Sequence, residues 1–256
     1  MILNFHNSSL ASIMQARGEL KSLGKLVFSN FYGLSDCTQY QMFKASHTLL
    51  VRFKEHDFFR LSAVSTNLEE LRNIFSILND NIYALNIPSK RDISEEREFL
   101  ESCGFSLLGI YNRYYNKNII KRENACGSYA LKQDFNDIKS LLYDNFIFYT
   151  DHLPSEDEIK QMIDNKQIVV NRFEDGKVGG LVIHTIEDKN AYINAWIDKT
   201  GNGIPLMFKT YNIIKEKGIS YAYLWINSTN RNVIVLHKMM GAKPDGLVDY
   251  TFVKNR

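Results

Sequence analysis

A glycine-containing turn near residue 200 is the part of the sequence best suited to bind a ligand. Residues 191–198 (AYINAWID) have the composition of a strand, and residues 199–205 (KTGNGIP) place G-x-G before an apolar, helix-like segment. Glycine lets the backbone approach a ligand closely, and the free N–H groups and dipole of a helix N-terminus favour a pyrophosphate. The pattern therefore predicts an anion-binding turn, although a turn without a ligand explains G-x-G at least as often.

The second half of the chain carries patterns for the elements that would position this turn. Ser155 and Glu158 have the spacing of a capping box, and Gly218 and Gly241 each follow an apolar periodic segment, so they mark helix ends. Helices are predicted over 134–146, from 155 onward, over 205–217 and over 232–240. Strands are predicted over 128–131, 167–173, 179–186, 190–198, 220–227 and 246–254.

The first half repeats part of this order, with predicted strands at 56–65 and 81–87 and helices at 66–78 and 92–103. Gly104 and Gly109 have the same spacing as Gly241 and Gly246, which favours a duplication. The helix at 66 is not preceded by G-x-G, so the first half lacks a comparable turn. A polar, Gly-containing stretch at 121–127 predicts a domain boundary near residue 125.

Composition excludes several classes of function. The chain has 256 residues and a formal net charge of +2, with no polybasic run, so nucleic acid is a poor candidate for a partner. Cys37, Cys103 and Cys126 form no CxxC pair and the histidines form no HExxH, which argues against a disulfide framework and a metal site. No window approaches the roughly 18 apolar residues of a membrane span, and no leader pattern is present. We expect a cytoplasmic protein with no membrane partner.

Taken together, the second half resembles the GCN5-related N-acetyltransferase (GNAT) superfamily. The resemblance rests on the strand and G-x-G-Ile turn at 191–204, the strand YLWIN at 223–227, and Asn230 followed seven residues later by His237 and eleven later by Gly241. It covers residues 126–256, while the first half resembles a degenerate copy of the family's carboxy-terminal part. The resemblance implies acetyl-CoA, or another acyl-CoA, as co-substrate.

The resemblance also assigns binding roles. The pyrophosphate of acyl-CoA would lie on the turn, and its pantetheine would lie between two splayed parallel strands. One further residue would lie at the start of the next helix. The implied cofactor-binding residues are, in that order, Thr200, Gly201, Asn202, Gly203 and Ile204, then Trp196 and Ile197, then Asn230.

Three positions depart from the family's pattern. The usual Arg or Gln at the start of the turn is Thr200, or Asp198 if the motif is shifted by two, with Lys199 as a substitute cation. Pro205 replaces a small residue and removes one N–H donor. These changes predict weaker cofactor binding. His237 replaces the tyrosine that often acts as general acid; an imidazole can pass a proton to a thiolate, and packing is its alternative role.

A general base is harder to assign. Side-chain alternation places Trp196 and Asp198 on one strand face and Ile193 and Ile197 on the other. Attack of an amine on a thioester needs a base, usually a carboxylate, so Asp198 is the candidate. Its place beside the turn fits equally well with stabilisation of a helix N-terminus.

Two groups of residues could form the acceptor site. Trp225 shares its strand face with Tyr221 and Tyr223, which fits an aromatic cleft or, more simply, the filling of a central sheet. Asp151 and Glu156 could attract a cationic amine, although carboxylates near a helix start are usually caps.

We therefore expect an α/β protein of two GNAT-like mixed-sheet domains in tandem, with helices on both faces of each sheet. Residues 1–125 would form the degenerate domain without the pyrophosphate turn, and 126–256 the complete acyl-CoA-binding domain. The expected activity is transfer of an acetyl or other acyl group from coenzyme A to a primary amine of a small-molecule or peptide acceptor. The alternative is a non-catalytic acyl-CoA-binding or regulatory module, and a homodimer stays open. An aminoacyl transferase that uses charged tRNA is disfavoured by the near-neutral charge.

Overall fold

The computed structural model describes residues 3–31, 34 and 39–255, and the chain divides into two compact units. The first unit comprises Met1–Ile110 with Val248–Arg256, and the second comprises Tyr111–Leu247. Cys37 lies outside the described residues. Cys103 and Cys126 are free thiols.

The first unit is built on a mixed sheet with helices on both sides. Its elements are β1 (His6–Ser8), α1 (Leu10–Leu23), β2 (Phe28–Ser29), β3 (Tyr40–Lys44), β4 (Thr48–Glu55), β5 (Phe58–Ser65), α2 (Leu68–Ser76), β6 (Tyr83–Ser89) and α3 (Ser94–Ser102). The strand order is β1-β3-β4-β5-β6, and β2 pairs with β5. The β5–β6 pair is parallel and the other pairs in this order are antiparallel.

The second unit has the same kind of sheet. Its elements are β8 (Ser128–Tyr129), a 3-10 turn (Lys132–Asp134), α4 (Phe135–Asn145), α5 (Glu156–Asp164), β9 (Ile168–Arg172), β10 (Val178–Glu187), β11 (Asn190–Asp198), α6 (Gly203–Glu216), β12 (Tyr221–Asn227) and α7 (Arg231–Met239). The order is β12-β11-β10-β9-β8, with a parallel β11–β12 pair among antiparallel ones.

Each unit takes its closing strand from the other half of the chain. The strand β7 (Ser106–Asn116) follows α3, yet its residues 111–116 pair with β12 of the second unit. The strand β13 (Lys243–Lys254) follows α7, yet its residues 248–254 pair with β6 of the first unit. The expected boundary near residue 125 therefore lies inside the second unit, because the segment before it already contributes a strand there.

Alternating side chains on the strands separate two apolar cores in each unit. In β4, Leu49 and Val51 pack with Leu20 of α1, whereas Leu50 packs with Phe75 of α2 on the opposite side. Burying such a side chain contributes roughly 1.5–3 kcal/mol, so these patterns fix the sheet between its helices.

The second unit follows the same rule. Val169 of β9 packs on Leu206 of α6, while its neighbours Ile168 and Val170 pack on Leu142 of α4. The expected α/β class with helices on both sheet faces is confirmed.

Local signals for helix ends also hold. Ser155 and Glu158 form the reciprocal capping box at the start of α5. Gly218 and Gly241 follow α6 and α7 with φ of +80° and +97°, the left-handed region that favours glycine. In contrast, α6 begins two residues earlier than predicted, at Gly203. None of the described helices is long and apolar enough to cross a membrane.

The exchange of closing strands makes a fragment test possible. Residues 126–256 expressed alone should be insoluble, because β12 loses β7 and residues 248–254 lose β6, leaving unpaired strand edges. Residues 111–247, which contain the whole second unit, are the matched control and should give more soluble monomer by size-exclusion chromatography. A soluble, monomeric 126–256 fragment would contradict this explanation.

Candidate functional site

The central feature of the second unit is a parallel strand pair that separates. β11 and β12 pair from Asn190 with Tyr221 to Ile193 with Leu224. Both strands continue beyond that point, β11 to Asp198 and β12 to Asn227, without further pairing to each other. The edge of β11 over residues 194–198 therefore faces a gap between two strands.

A β-bulge reverses the faces of β11 in this region. Ala195 pairs with Ile183 and Ile193 pairs with His184, so Asn194 is the extra residue. Ile193 and Trp196 consequently pack on the α6 side, whereas Ile197 packs with the core of α4 and α5. The predicted simple alternation, with Ile193 opposite to Trp196, is wrong for this reason.

The predicted G-x-G turn connects β11 directly to α6. Gly201 has a φ of +81°, and the Thr200 hydroxyl accepts from Asn202 N at 3.3 Å and donates to Asp198 Oδ1 at 2.6 Å. The first helical bond of α6 runs from Leu206 N to Asn202 O at 3.0 Å. The N–H groups of Gly203 and Ile204 therefore have no acceptor within the helix.

Gly203 is required by close packing at this point. A Cβ added there would lie 3.1 Å from Asp198 Cβ and 3.3 Å from the indole of Trp196. A larger side chain would thus push the first turn of α6 away from Asp198 and Trp196.

A residue of β9, Asn171, also stabilises the turn, and the sequence did not predict this contact. Asn171, which is buried, donates from Nδ2 to Asn202 O at 3.1 Å and accepts from the Cys126 thiol at 3.4 Å. Cys126 N in turn donates to Pro205 O at 3.1 Å. The only sign of this contact in the sequence is that Asn171 is a polar residue inside the apolar strand β9. Its partner, the backbone of Asn202, is distant in the chain and leaves no pattern.

His237 and Trp196 meet beside this turn. Their ring centroids are 5.0 Å apart in an edge-to-face arrangement, and His237 is 1% exposed. Trp196 Nε1 and His237 Nδ1 are buried without a hydrogen-bond partner among the described residues. Burial lowers the pKa of His237 to about 4, so the imidazole is neutral at pH 7. These observations favour the packing role, and the proton-donor role stays a prediction.

Asp198 and Asn230 both have local structural roles. Asp198 accepts from Thr200, and its carboxylate lies where a Cβ on Gly180 would be, so it braces the turn. Asn230 caps α7 by accepting from Val233 N at 3.3 Å. The base role of Asp198 and the ligand contact of Asn230 stay predictions.

The aromatic residues lie on the sheet face opposite α6. Tyr192 and Tyr223 stack with centroids 4.9 Å apart, and the Arg113 guanidinium lies 5.8 Å from the Trp225 ring. Arg113 also pairs with Asp245 at 2.6 Å. These rings are half-buried, which places them at the surface of the sheet rather than in its apolar cores.

Neither predicted amine-attracting carboxylate is without a partner. Asp151 accepts from the Tyr111 hydroxyl and from Ile147 N, both at 2.7 Å. Desolvation raises the pKa of Tyr111, so its hydroxyl stays protonated and donates. Glu156 pairs with Lys139, which lowers the pKa of the carboxyl. Both acids stabilise the segment around the start of α5.

The first unit has no equivalent of the glycine turn among its described residues. The side chain of Asn67 caps α2 and accepts from the N–H groups of Glu69 and Glu70 at 2.9 and 3.1 Å. These donors are therefore engaged, and the two carboxylates of the first turn would repel an anion.

Solved structures share this arrangement. The chain matches an acetyltransferase from the GNAT family of Colwellia psychrerythraea over 100% of both chains, with 10% identity and a TM-score of 0.53. It matches a GCN5-related N-acetyltransferase from Sphaerobacter thermophilus over 88% of this chain and 82% of that one, with 7% identity and a TM-score of 0.56. A tandem GNAT protein from the clavulanic acid biosynthesis pathway is matched over 98% of both chains, with 8% identity and a TM-score of 0.56.

The chain has the GNAT fold. The match to a tandem GNAT protein over nearly the whole chain confirms the expected architecture of two GNAT-like units. No protein-family model matches the sequence, and no curated protein matches it either. At these identities the likeness shows the fold alone.

Two buried histidines should make stability depend on pH. Burial lowers the pKa of His184 and His237 to about 4, below the 6.5 of an unfolded chain. Below pH 6.5 the unfolded state therefore binds protons that the native state does not, and stability falls until about pH 4. Each histidine should contribute about 2 kcal/mol of this loss between pH 7 and pH 5.

Urea unfolding at both pH values measures this effect. His184→Gln and His237→Gln should each reduce the difference between pH 7 and pH 5, whatever they do to stability at pH 7. An unchanged difference in both variants would contradict the burial of these rings.

Proposed function

We propose that the second unit binds acyl-CoA and transfers the acyl group to a primary amine. The observation that carries the proposal is the junction of a separating parallel strand pair with a glycine turn that opens α6. The first feature offers an unpaired backbone edge, and the second offers N–H groups at a helix N-terminus. This combination suits a long ligand that has amide groups at one end and a pyrophosphate at the other.

The residues present fit such a ligand. The N–H groups of Gly203 and Ile204 would hold the pyrophosphate, and exposed Lys199 adds a positive charge. Gly203 lets the start of α6 pack closely on Asp198 and Trp196. Pro205 lacks an N–H group and so removes one donor from the turn. The carboxylate of Asp198 lowers the positive potential there. Binding should therefore be weaker than a full set of donors would give.

In the proposed reaction, bound acyl-CoA supplies an activated acyl thioester. The chain's own part is to align that thioester along β11 and to admit an amine beside the turn. A base has to take a proton from the amine: Asp198 is the first candidate, and the buried His237 is the alternative.

One observation favours the second candidate function, a non-catalytic acyl-CoA-binding module. Asp198 is engaged by Thr200, and His237 is buried and neutral at pH 7. A protein that binds the thioester without turning it over would keep the cradle and need neither group. The two functions differ only in thiol release.

Calorimetric titration with acetyl-CoA tests the binding step. The intact chain should bind one molecule, because the first unit lacks the turn. Gly203→Glu should abolish binding, since its side chain would press on Asp198 and Trp196, displace the turn and add a negative charge. Gly18→Glu is the matched control: it adds the same charge at an exposed glycine of α1 that has open space around it. Two sites, or normal binding by Gly203→Glu, would contradict the assignment.

The role of His237 can be separated from its packing by two variants. His237→Phe keeps a ring against Trp196 but cannot carry a proton, and we expect it to retain turnover with an acceptor found in an amine library. His237→Ala should lower the free energy of unfolding by about 2–5 kcal/mol, as buried truncations do. A loss of kcat by roughly 10² to 10⁴ in a stable His237→Phe protein would instead establish general-acid catalysis.

A further inference from the structure

The first unit contains a second separating strand pair. β5 and β6 are parallel and pair from Phe59 with Tyr83 to Leu61 with Leu85. Beyond this point β5 continues to Ser65 and β6 to Ser89 without further pairing to each other. The strand order and the separation match those of β11 and β12 in the second unit.

In this unit a segment of the chain itself lies along the separated edge. Phe28 and Ser29, which form β2, pair antiparallel with Ser65 and Val64 of β5. A strand has two edges, and β4 pairs with the whole of β5 on one of them. β2 must therefore lie on the edge that faces β6.

Backbone and side-chain hydrogen bonds extend this pairing in both directions. Val27 N donates to Ser65 O at 2.9 Å, and Asn30 N donates to Ala63 O at 3.1 Å. The side chain of Asn30 then imitates a further peptide unit: Nδ2 donates to Leu61 O at 3.1 Å, and Oδ1 accepts from Ala63 N at 2.6 Å. The edge of β5 is thus paired up to the point where β6 separates.

An aromatic anchor holds the same segment against the helices. Phe28 is 4% exposed, and its ring centroid lies 6.2 Å from that of Phe75 in α2 and 5.8 Å from that of Phe99 in α3. Asn30 is also buried, at 6% exposure. The segment therefore combines extended backbone, one buried ring and one buried amide, which are the elements of strand-addition recognition.

We propose that the separated edge of β5 is a strand-binding groove and that residues 27–30 of this chain are its internal ligand. The groove recognises an extended peptide through its backbone, with an aromatic residue followed two positions later by Asn. That residues 27–30 keep acyl-CoA out of the first unit rests on the proposed function. The peptide site itself does not rest on it.

A peptide added in trans tests the groove. The probe is a fluorescently labelled hexapeptide with the sequence of residues 26–31, LVFSNF, and the host is the full-length chain carrying Phe28→Ala and Asn30→Ala. This variant should bind the probe by fluorescence anisotropy and regain hydrogen-exchange protection at Ala63 N. The wild-type chain should not bind it, because its own segment fills the groove, and a probe with Ala at both positions should bind neither chain.

A milder variant keeps the test decisive if the double variant does not fold. Asn30→Asp retains an acceptor for Ala63 N but loses the donor to Leu61 O, and we expect about fivefold faster exchange at the backbone amides of residues 27, 30 and 63. Ser29→Ala, on an exposed side chain, is the matched control and should not change these rates. Unchanged exchange in Asn30→Asp, or a folded double variant that fails to bind the probe, would overturn the proposal. Weak or absent acetyl-CoA binding by the second unit would leave it intact.

Discussion

Unpaired backbone at a separating parallel strand pair is the constraint on which both units depend. Where β5 leaves β6 and where β11 leaves β12, N–H and C=O groups at the inner edge lose their strand partner. Such groups need another partner when water is excluded. In the first unit residues 27–30 supply it, and in the second unit the proposed supplier is acyl-CoA. The same kind of separated strand edge is thus paired with a segment of the chain in one unit and, as proposed, with a ligand in the other.

The turn that follows each separated strand explains why the solutions differ. After β11, Gly201 and Gly203 keep side chains away from the start of α6, and Asn171 fixes the turn from β9. After β5, Asn67 uses its own side chain to cap α2. The cap engages two of the donors at this helix start, and Glu69 and Glu70 add negative charge, so the first unit is suited to a peptide strand and not to a pyrophosphate.

Local patterns predicted much of the second unit but little of its long-range organisation. The capping box at Ser155, the glycines after α6 and α7 and the turn at Gly201 depend on neighbouring residues, which the sequence displays directly. The bulge at Asn194 and the exchange of β7 and β13 depend on strand partners far away in the chain, so no local pattern contains them. β2 is only two residues long, too short for a periodic signal. His237 was placed on a helix, but its burial depends on Trp196 from another element.

Hydrogen exchange of the intact chain with and without acetyl-CoA tests the central claim, that one kind of groove is filled differently in the two units. The ligand should slow exchange at the amides of residues 194–198 and of Gly203 and Ile204. It should leave the amides of residues 61–65 unchanged, because residues 27–30 already protect that edge. Slower exchange at residues 61–65 on ligand addition, or no change anywhere in the second unit at saturating acetyl-CoA, would contradict this account.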